Sequence, residues 1–452
     1  MTESNAESGS METNGSNIGI VGGGLLGLTL ALRLAQRGQK VTLIEAADHL
    51  GGLADAWQLG DIAWDRHYHV TLLSDGHLRD ILKELDLDRC MRWVKTRTGF
   101  LVDGRLYSLS NNWEFLRFPP LRLLDKLRLG WTIFHASRLT DWRALEKVSV
   151  GDWLTRHSGK RTFERIWLPL LKAKLGDAWQ RTSAAFIWAT IQRMYAARRS
   201  GLKYELFGYL PGGYGRMLEA LRERLEALGV EIRTGCRVER VEQDEHGQLV
   251  VTAGNDSWRF DKVVLTAPAP VAARLCGQLT ESEADRLSGV EYLGIVCASL
   301  LLRKPLSPYY VTNLTDAAPF TGVIEMTALV DPAEFGGRTL VYLPKYATAD
   351  DPVWSRSDDE VRAEFVAALT RLYPGVYEED VLAFRVSRVR HVFALTTLDY
   401  SDRVPPRETS IPGLFLVNSA QIVNATLNVN ETVRLAESSL DLLCRPVAQL
   451  AA

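Results

Sequence analysis

The sequence lacks the features of several common protein classes. Its five cysteines are scattered and form no C-x-x-C pair, so neither a disulfide framework nor a zinc site is indicated, and a reducing, cytoplasmic compartment is expected. No stretch of about 18 apolar residues occurs, so no transmembrane helix is expected. Residues 1–16 are rich in Ser, Asn, Glu and Thr, without the basic and apolar segments of a signal peptide, and we expect a disordered tail.

The small net charge and the absence of common catalytic motifs argue against further classes of protein. The net charge is −2, so no overall basic field favours a nucleic-acid partner. No G-x-S-x-G, H-E-x-x-H or phosphate-loop motif is present, which argues against serine hydrolases, zinc peptidases and P-loop enzymes. The 452 residues with 46% apolar content are enough for two or three domains with real cores.

A glycine-rich turn near the N-terminus is the most informative motif. Gly22, Gly24 and Gly27 form G-x-G-x-x-G between a buried strand at 18–21 and a helix that ends at Gly38. A second strand at 41–44 ends in Glu45. This spacing predicts a βαβ unit that binds a dinucleotide pyrophosphate at the helix N-terminus. Glu45 is placed to accept hydrogen bonds from a ribose, and its charge disfavours a 2′-phosphate.

A second glycine pair, Gly51 and Gly52, follows the ribose acid. This arrangement resembles the flavin amine oxidase superfamily, which includes protoporphyrinogen oxidases, carotenoid desaturases and UDP-galactopyranose mutases. The resemblance implies that the dinucleotide is FAD. Many members carry Arg directly after the pair, whereas this chain has Leu53.

The hydrophobic pattern predicts an α/β fold in which the nucleotide-binding domain is split. We expect a Rossmann-like FAD-binding domain from 17–75, 206–275 and 396–452, and a substrate domain from 76–205 and 276–395. Residues 76–205 read as mostly helical, whereas 296–302, 321–330, 339–343 and 381–389 read as strands and 358–372 as a helix. The second domain is therefore predicted to be a mixed sheet with a helical cap.

Further FAD contacts follow from the resemblance. Val238, on a strand expected at 237–239, would offer backbone bonds on the adenine side. Asn418 and Ser419 stand where the family has Gly and Asp, and both can still bond a ribityl hydroxyl or a phosphate. Asn430 begins a helix whose positive end would stabilise a reduced, anionic flavin. The alternative is an Asn-rich capped turn of structural use only.

Residues 62–70 alternate as a strand and place Asp65, His67 and His69 on one face. Three readings stay open: a metal site, a structural edge strand, or groups near the flavin. We favour the flavin reading without a metal, with His69 and His67 as candidate groups that orient substrate or exchange a proton. Tyr209, before the turn at 211–213, is a third candidate, although a plain helix-capping loop explains that turn as well.

Two helical segments suggest contacts beyond the cofactor. Lys174 lies in a W-x-P-L-L-x-x-K run and either contacts an anionic substrate or lies on a solvated helix face. Residues 113–143 interleave Trp, Phe and Leu with six basic residues against three acids. This composition predicts peripheral contact with the inner face of a membrane, and the alternative is an ordinary cap helix.

Together these features predict an FAD-dependent oxidoreductase of the protoporphyrinogen oxidase or amine oxidase type. It would move a hydride equivalent from a small or lipophilic organic substrate to the flavin. Two alternatives stay open. One is a non-redox flavin enzyme resembling UDP-galactopyranose mutase that acts on a nucleotide sugar. The other is a flavin-bearing binding protein without turnover.

Overall fold

The computed structural model describes residues 15–198 and 206–446. Most of the predicted tail, residues 1–14, lies outside this part of the chain. Ser16 does not belong to a disordered tail, because its backbone N–H donates to Gln39 Oε1 at 2.9 Å and its carbonyl accepts from Lys40 N at 3.1 Å.

The strands are numbered along the chain. The first ten are β1 (Asn17–Val21), β2 (Lys40–Ile44), β3 (Ala56–Leu59), β4 (Ile62–Asp65), β5 (Thr71–Leu72), β6 (Arg92–Lys95), β7 (Thr98–Val102), β8 (Arg105–Ser108), β9 (Leu206–Tyr209) and β10 (Glu231–Arg233). The next ten are β11 (Arg240–Gln243), β12 (Leu249–Ala253), β13 (Asp256–Phe260), β14 (Lys262–Leu265), β15 (Tyr292–Leu302), β16 (Val311–Leu314), β17 (Gly322–Glu325), β18 (Thr339–Ala347), β19 (Val381–Ala394) and β20 (Leu414–Leu416).

The helices follow the same numbering. The first nine are α1 (Leu25–Gln36), α2 (Gly76–Glu84), α3 (Asn112–Arg117), α4 (Leu123–Arg138), α5 (Trp142–Glu146), α6 (Val150–Ser158), α7 (Lys160–Thr162), α8 (Leu168–Leu175) and α9 (Ala184–Arg198). The remainder are α10 (Gly213–Ala227), α11 (Ala269–Leu275), α12 (Glu281–Ser288), α13 (Asp358–Leu372), α14 (Tyr400–Arg403), α15 (Val429–Glu437) and α16 (Leu440–Leu443).

A five-stranded parallel sheet, in the order β10-β2-β1-β14-β20, forms the nucleotide-binding layer. Its strands come from three separated parts of the chain, 17–44, 231–265 and 414–416. Parallel strands require long crossover connections, and here the strands of the second sheet lie in two of them, β7 and β8 between β2 and β10 and the other five between β14 and β20. This is the α/β fold with a split Rossmann-like sheet that the sequence predicts.

Two cores cover this sheet because its strands alternate their side chains between the faces. On one face α1, α2, α10 and α15 enclose Ile18, Leu28, Leu221 and Val433, each 0% exposed. The other face carries the antiparallel β11-β12-β13 sheet and α11. Truncation of a leucine in such a core costs about 2–5 kcal/mol, so burial holds α1 rigidly behind the glycine turn.

The second sheet has seven strands in the order β19-β15-β18-β17-β16-β7-β8. The helix predicted at 358–372 is confirmed as α13, which packs on one face of this sheet. It begins there because Ser357 Oγ accepts from Glu360 N at 3.2 Å while Glu360 Oε2 accepts from Ser357 N at 2.7 Å. Strands β7 and β8 come from the segment read as mostly helical and complete the far edge of the sheet.

Helices α3 to α9 form a cap layer with its own cores. Leu293 of β15 and Leu395, which follows β19, belong to the larger of these cores, so the cap sits over one end of the sheet. Among the helices of 15–198 and 206–446, none has the length and apolar character to cross a bilayer.

Candidate cofactor and substrate site

The three glycines of the first turn occupy different surroundings. Gly22 has φ 115°, and a Cβ there would lie 2.2 Å from Thr266 Oγ1. A Cβ on Gly27 would lie 1.9 Å from the Gly22 carbonyl oxygen, so only glycine lets α1 approach the strand this closely. A Cβ on Gly24 would meet nothing nearer than 4.0 Å, and Gly24 precedes α1 without a side-chain cap. The open space therefore lies where a pyrophosphate would meet the first amides of α1.

The second glycine pair lies against the first turn. Gly51 forms a parallel bridge with Gly24, and its N–H donates to the Gly23 carbonyl at 2.9 Å. Both members of the pair have positive φ, 120° at Gly51 and 59° at Gly52. The two glycine motifs therefore form one wall, which the sequence presents as two separate signals.

A cation lies beside this wall although Leu53 replaces the family's arginine. Arg66 Nη2 donates to the Gly52 carbonyl at 2.8 Å, and Arg66 Nη1 lies 3.7 Å from Asp55 Oδ2. Burial raises the pKa of Asp55, while His49 and Arg66 lower it in part. The sequence does not single out Arg66, because no motif distinguishes it from other basic residues; it is simply an arginine within the alternating segment 62–70.

Glu45, which follows β2, lies beside the first glycine turn. Its carboxylate is half-buried and accepts from Gly23 N at 2.6 Å and from Ala47 N at 2.8 Å. Both oxygens hold the loop, yet each carboxylate oxygen has a second lone pair. Contact with a ribose stays a prediction that this geometry permits.

The predicted strand around Val238 is absent. β10 ends at Arg233 and β11 begins at Arg240, so the segment between them is irregular. Val238 itself is buried at 8% exposure within the core behind the sheet. Three backbone bonds hold this segment: Gly235 N donates to Ala47 O, Cys236 N to Glu45 O, and Glu239 N to Thr252 O of β12. The connection is therefore fixed by the loop after β2 at its start and by β12 at its end.

The C-terminal segment places Asn418 directly after β20. Asn418 is 1% exposed and accepts from Ala420 N at 3.1 Å through Oδ1, while its Nδ2 is buried without a protein partner. A buried amide donor of this kind calls for a ligand or water acceptor. Ser419 is half-buried and bonds Tyr292, whose pKa is raised by burial and lowered in part by bonds from Ala269 and Ser419.

Asn430 lies in the first turn of α15 and is tied within the protein. Its Oδ1 accepts from Leu78 N at 3.3 Å, and its Nδ2 donates to Glu431 Oε1 at 3.3 Å. Asn428 caps the helix by accepting from Glu431 N at 3.1 Å. This helix is short, because α15 ends at Glu437 and the next helix, α16, begins at Leu440.

The predicted strand at 62–70 ends early, so the expected shared face is wrong. β4 stops at Asp65, and residues 66–70 form a loop. His67 is 6% exposed, with Nδ1 bonded to Leu53 O and Nε2 bonded to Ser387 Oγ, both at 3.1 Å. Burial, followed by repulsion from His69, lowers the pKa of His67 to about 3. The imidazole is therefore neutral near pH 7, with both nitrogens occupied, which does not suit proton exchange.

His69 occupies a different environment from His67. Its ring stacks on Tyr214, with centroids 4.9 Å apart, and its Nδ1 lies 3.6 Å from Asp65 Oδ2. Asp65 is fixed in turn, since its Oδ1 accepts from Tyr214 N at 2.7 Å. In the described ranges, no group of three His, Cys, Asp or Glu side chains is arranged to hold a metal ion.

The turn after Tyr209 packs against the same aspartate. Gly212 and Gly213 have φ of 83° and 70°, and a Cβ on Gly213 would lie 2.7 Å from Asp65 Oδ1. The Tyr209 hydroxyl accepts from Asp331 N at 3.3 Å and is buried in the sheet core. The glycine turn therefore positions Asp65, whereas Tyr209 anchors the neighbouring loop.

An aromatic cluster lies between the cap layer and the second sheet. Its rings belong to Tyr68, Phe186, Tyr346 and Phe393, and Tyr68 and Tyr346 share a hydroxyl–hydroxyl bond of 2.9 Å. All four residues keep partial exposure, although they lie between two layers. Lys174 Nζ lies 4.9 Å from the Tyr346 ring centroid and 5.9 Å from that of Phe393. We call these five residues the aromatic–lysine cluster.

Comparisons with known proteins agree with this architecture. The sequence profile of the family described as flavin containing amine oxidoreductase matches residues 27–427. The 15-cis-phytoene desaturase of Glycine max is 21% identical over 88% of this chain and 74% of its own length. Coproporphyrinogen III oxidase of Mycobacterium tuberculosis is 27% identical over 57% of this chain, and the match spans 60% of that protein.

The fold is shared with solved structures. A protoporphyrinogen oxidase-like protein from Exiguobacterium sp. 255-15 superimposes with a TM-score of 0.75 at 18% identity, covering 95% of this chain and 98% of that one. At this identity the likeness concerns the fold. The open wall at Gly24 and the unpaired Asn418 amide are features of this chain that fit a bound dinucleotide.

Proposed function

The chain belongs to the flavin-containing amine oxidoreductase family and is an FAD-dependent oxidoreductase, and from this premise we propose that it oxidises a lipophilic organic substrate bearing an anionic group. Bound FAD supplies the acceptor for a hydride equivalent. The glycine wall, Glu45 and Asn418 would hold the cofactor. The aromatic–lysine cluster would hold the substrate, and this cluster is the observation that carries the proposal.

The cluster suits an extended apolar molecule. Aromatic rings provide large apolar surfaces, and rings that stay partly exposed between two layers have surface available to a ligand. Tyr68 belongs to the same loop as His67 and His69, and its hydroxyl joins Tyr346. Burial, followed by the neighbouring Tyr346, raises the pKa of Tyr68 well above its usual range, so the phenol stays protonated.

Lys174 provides the charge that the aromatic rings lack. Its side chain is half-buried, and within the part of the chain that is described no carboxylate lies within ion-pairing distance of its ammonium. The faces of Tyr346 and Phe393 compensate only in part for lost hydration, because a cation–π contact is weaker than a hydrogen-bonded ion pair. A substrate carboxylate or phosphate would complete this environment.

His69 is the group we propose to orient the reacting part of the substrate or to exchange a proton. Its ring stacks on Tyr214 with Nδ1 3.6 Å from Asp65 Oδ2, and this buried nitrogen has no hydrogen-bond partner within the described protein. Asp65 keeps that orientation because the Tyr214 amide and the Tyr342 hydroxyl bond its side chain and its carbonyl. His69 thus has a fixed direction, as a positioned acid or base requires.

The experiment is anaerobic flavin reduction by the purified holoenzyme over a panel of porphyrinogens, polyprenoids, amines and nucleotide sugars. For apolar compounds, matched pairs with and without a carboxylate are compared. We expect bleaching of the flavin absorbance only with apolar compounds, and about tenfold tighter binding for the anionic partner of each pair. His69→Ala should keep FAD bound and slow the bleaching step.

Lys174→Met tests the charge, because methionine keeps an unbranched apolar stem over the two rings. It should remove the preference for the anionic partner and leave FAD occupancy unchanged. Lys172→Met, at an exposed position on the same helix, is the matched control. Turnover of a nucleotide sugar only after prereduction, without net oxidation, would replace the proposal by a mutase. Tight binding of the apolar compounds without any bleaching would make the protein a flavin-bearing binding protein.

A further inference from the structure

Helices α3 and α4 expose an unusual amount of apolar surface. Thirteen large apolar side chains are exposed in the described part of the chain, and seven of them lie on these two helices. They are Trp113 at 72%, Leu116 at 48%, Leu123 at 64%, Leu124 at 73%, Leu127 at 59%, Trp131 at 58% and Phe134 at 42% exposure. Contiguous apolar surface of this kind marks a binding surface rather than an ordinary water-facing helix.

The orientation of α4 accounts for this exposure. Leu124, Leu127, Trp131 and Phe134 follow helical spacing and form one outward stripe. Beside Leu129, the inner side of this helix also buries charged residues, among them Lys126, which is 8% exposed and donates to the Leu116 carbonyl at 2.7 Å. A helix adapted to water would bury most of its leucines, whereas Leu123, Leu124 and Leu127 are exposed here.

Within residues 113–143, the basic side chains are mostly exposed and the acidic side chains mostly are not. Five of the basic residues are exposed arginines: Arg117, Arg122, Arg128, Arg138 and Arg143. In the described ranges, none of these arginines forms an ion pair with a carboxylate.

Two of the three acidic residues of 113–143 are buried or half-buried and contact other protein groups. Asp125 is 8% exposed and lies 3.4 Å from Arg161 Nε. Glu114 is half-buried and accepts from Ser108 Oγ and Ser110 N. Only Asp141 stays exposed, at the start of α5. The outer surface is therefore apolar and positive.

We propose that the apolar–basic face, formed by the outer sides of α3 and α4, docks on the surface of an anionic lipid bilayer. Its leucine and aromatic side chains enter the interface while the arginines lie at the level of the lipid phosphates. A second copy of the chain is a poorer occupant, because a two-fold symmetric contact would bring the same arginines against one another without acids to pair them.

The docking face belongs to the layer that carries the substrate groups. α4 packs against α9, which carries Phe186, and α8 of the same cap layer carries Lys174. Docking would therefore bring the cap side of the aromatic–lysine cluster to the membrane, where lipophilic molecules are concentrated. The membrane proposal stands on the exposed surface alone, so it can hold even where the proposed substrate class fails.

The test is cosedimentation of the holoprotein with vesicles of phosphatidylcholine containing phosphatidylglycerol, compared with vesicles of phosphatidylcholine alone. We expect binding to the anionic vesicles at low salt, with the bound fraction falling as salt rises. Leu124→Glu and Arg117→Glu should each weaken partitioning by about tenfold, since one removes an inserting side chain and the other reverses a charge.

Matched controls separate this surface from general effects. Leu382→Glu replaces an exposed leucine of β19, and Arg371→Glu reverses an exposed charge on α13, so both should bind vesicles as the unchanged protein does. Absence of binding at low salt, or equal loss in the control variants, overturns the proposal. Sedimentation equilibrium provides the remaining outcome: a stable dimer that Leu124→Glu dissociates would assign the face to a second copy.

Discussion

A Cβ atom on Gly52 would lie 3.1 Å from the Cα atom of Gly24, so the two glycine motifs meet directly. A Cβ built on Gly24, in contrast, would lie in open space, with Gly52 Cα as its nearest neighbour at 4.0 Å. The wall thus has a crowded side that serves the fold and an open side that faces the space we assign to the pyrophosphate. The sequence motif alone does not show which glycine is required for close packing and which leaves space for the cofactor.

Gly24→Ala should fold and lose cofactor. Since the added methyl group meets only open space within the protein, the free energy of unfolding of the apoprotein should change by about 1 kcal/mol or less. The same methyl group would occupy the approach of the pyrophosphate, so FAD affinity should fall by about tenfold or more. Thermal unfolding of the apoprotein and titration with FAD measure the two effects.

Gly27→Ala is the contrasting change at the same motif. Its methyl group would lie 1.9 Å from the Gly22 carbonyl oxygen, so we expect destabilisation of about 3 kcal/mol in the apoprotein. If both variants lose stability equally, or if Gly24→Ala binds FAD normally, the open side does not face the cofactor.

Glu45→Gln tests the acid after β2. One amide oxygen can replace one carboxylate oxygen, so the loop bond from Gly23 N or that from Ala47 N is retained. The charge is lost, and FAD affinity should fall by about 1–2 kcal/mol because charge-assisted bonds are stronger than neutral ones. Fluorescence titration of the apoprotein gives the affinity. An unchanged affinity would restrict Glu45 to holding its own loop.

His67→Asn should alter the acid sensitivity of the protein. The pKa of His67 is lowered to about 3 in the folded state, whereas an unfolded histidine titrates near 6.5. The unfolded chain therefore binds a proton that the folded chain does not, and the stability of the unchanged protein falls as pH drops through this window. Between pH 7 and pH 5 this loss should be about 2 kcal/mol larger than in the variant. Urea unfolding across pH measures it.

Glu325→Gln should have the opposite pH signature. Glu325 is 2% exposed and accepts from Ser307 N at 2.9 Å and Leu306 N at 3.3 Å. Burial raises its pKa from 4.5 to about 7, so the stability linked to its proton is present below pH 4.5 and lost as pH rises through 7. The variant should therefore gain about 2 kcal/mol relative to the unchanged protein between pH 5 and pH 8. A pH-independent difference would mean that Glu325 is solvated.

Much of the fold follows from local sequence. The βαβ unit is encoded by apolar runs and glycines that act within a few residues, and α13 begins where the Ser357 and Glu360 capping pair stands. The strands of the second sheet also carry continuous apolar runs, as β15 does. These signals depend on the chain's own neighbours, and they were sufficient for the fold class.

Pairing partners far along the chain were not encoded locally. The pattern of residues 76–205 predicts mostly helices, yet this segment contains β7 and β8, and β7 pairs with β16, about 200 residues away. The alternation after Asp65 predicts a strand, although the residues there bond Leu53, Ser387 and Tyr346 instead of a strand partner. Alternation shows which side chains can share a face, whereas a strand forms only where a neighbouring backbone is available.

The class of cofactor site follows from local sequence signals, because glycine spacing and an acid at a strand end act through local backbone geometry. Long-range packing sets which groups meet, such as Arg66 beside Gly52 and Lys174 over Tyr346. It also sets the orientation of α4, with Asp125 inside and Leu124 outside. Composition gives the number of charged residues but not which of them face the interior and which face the solvent. Long-range contacts set this orientation, because packing against distant elements determines which face of a helix or loop remains exposed.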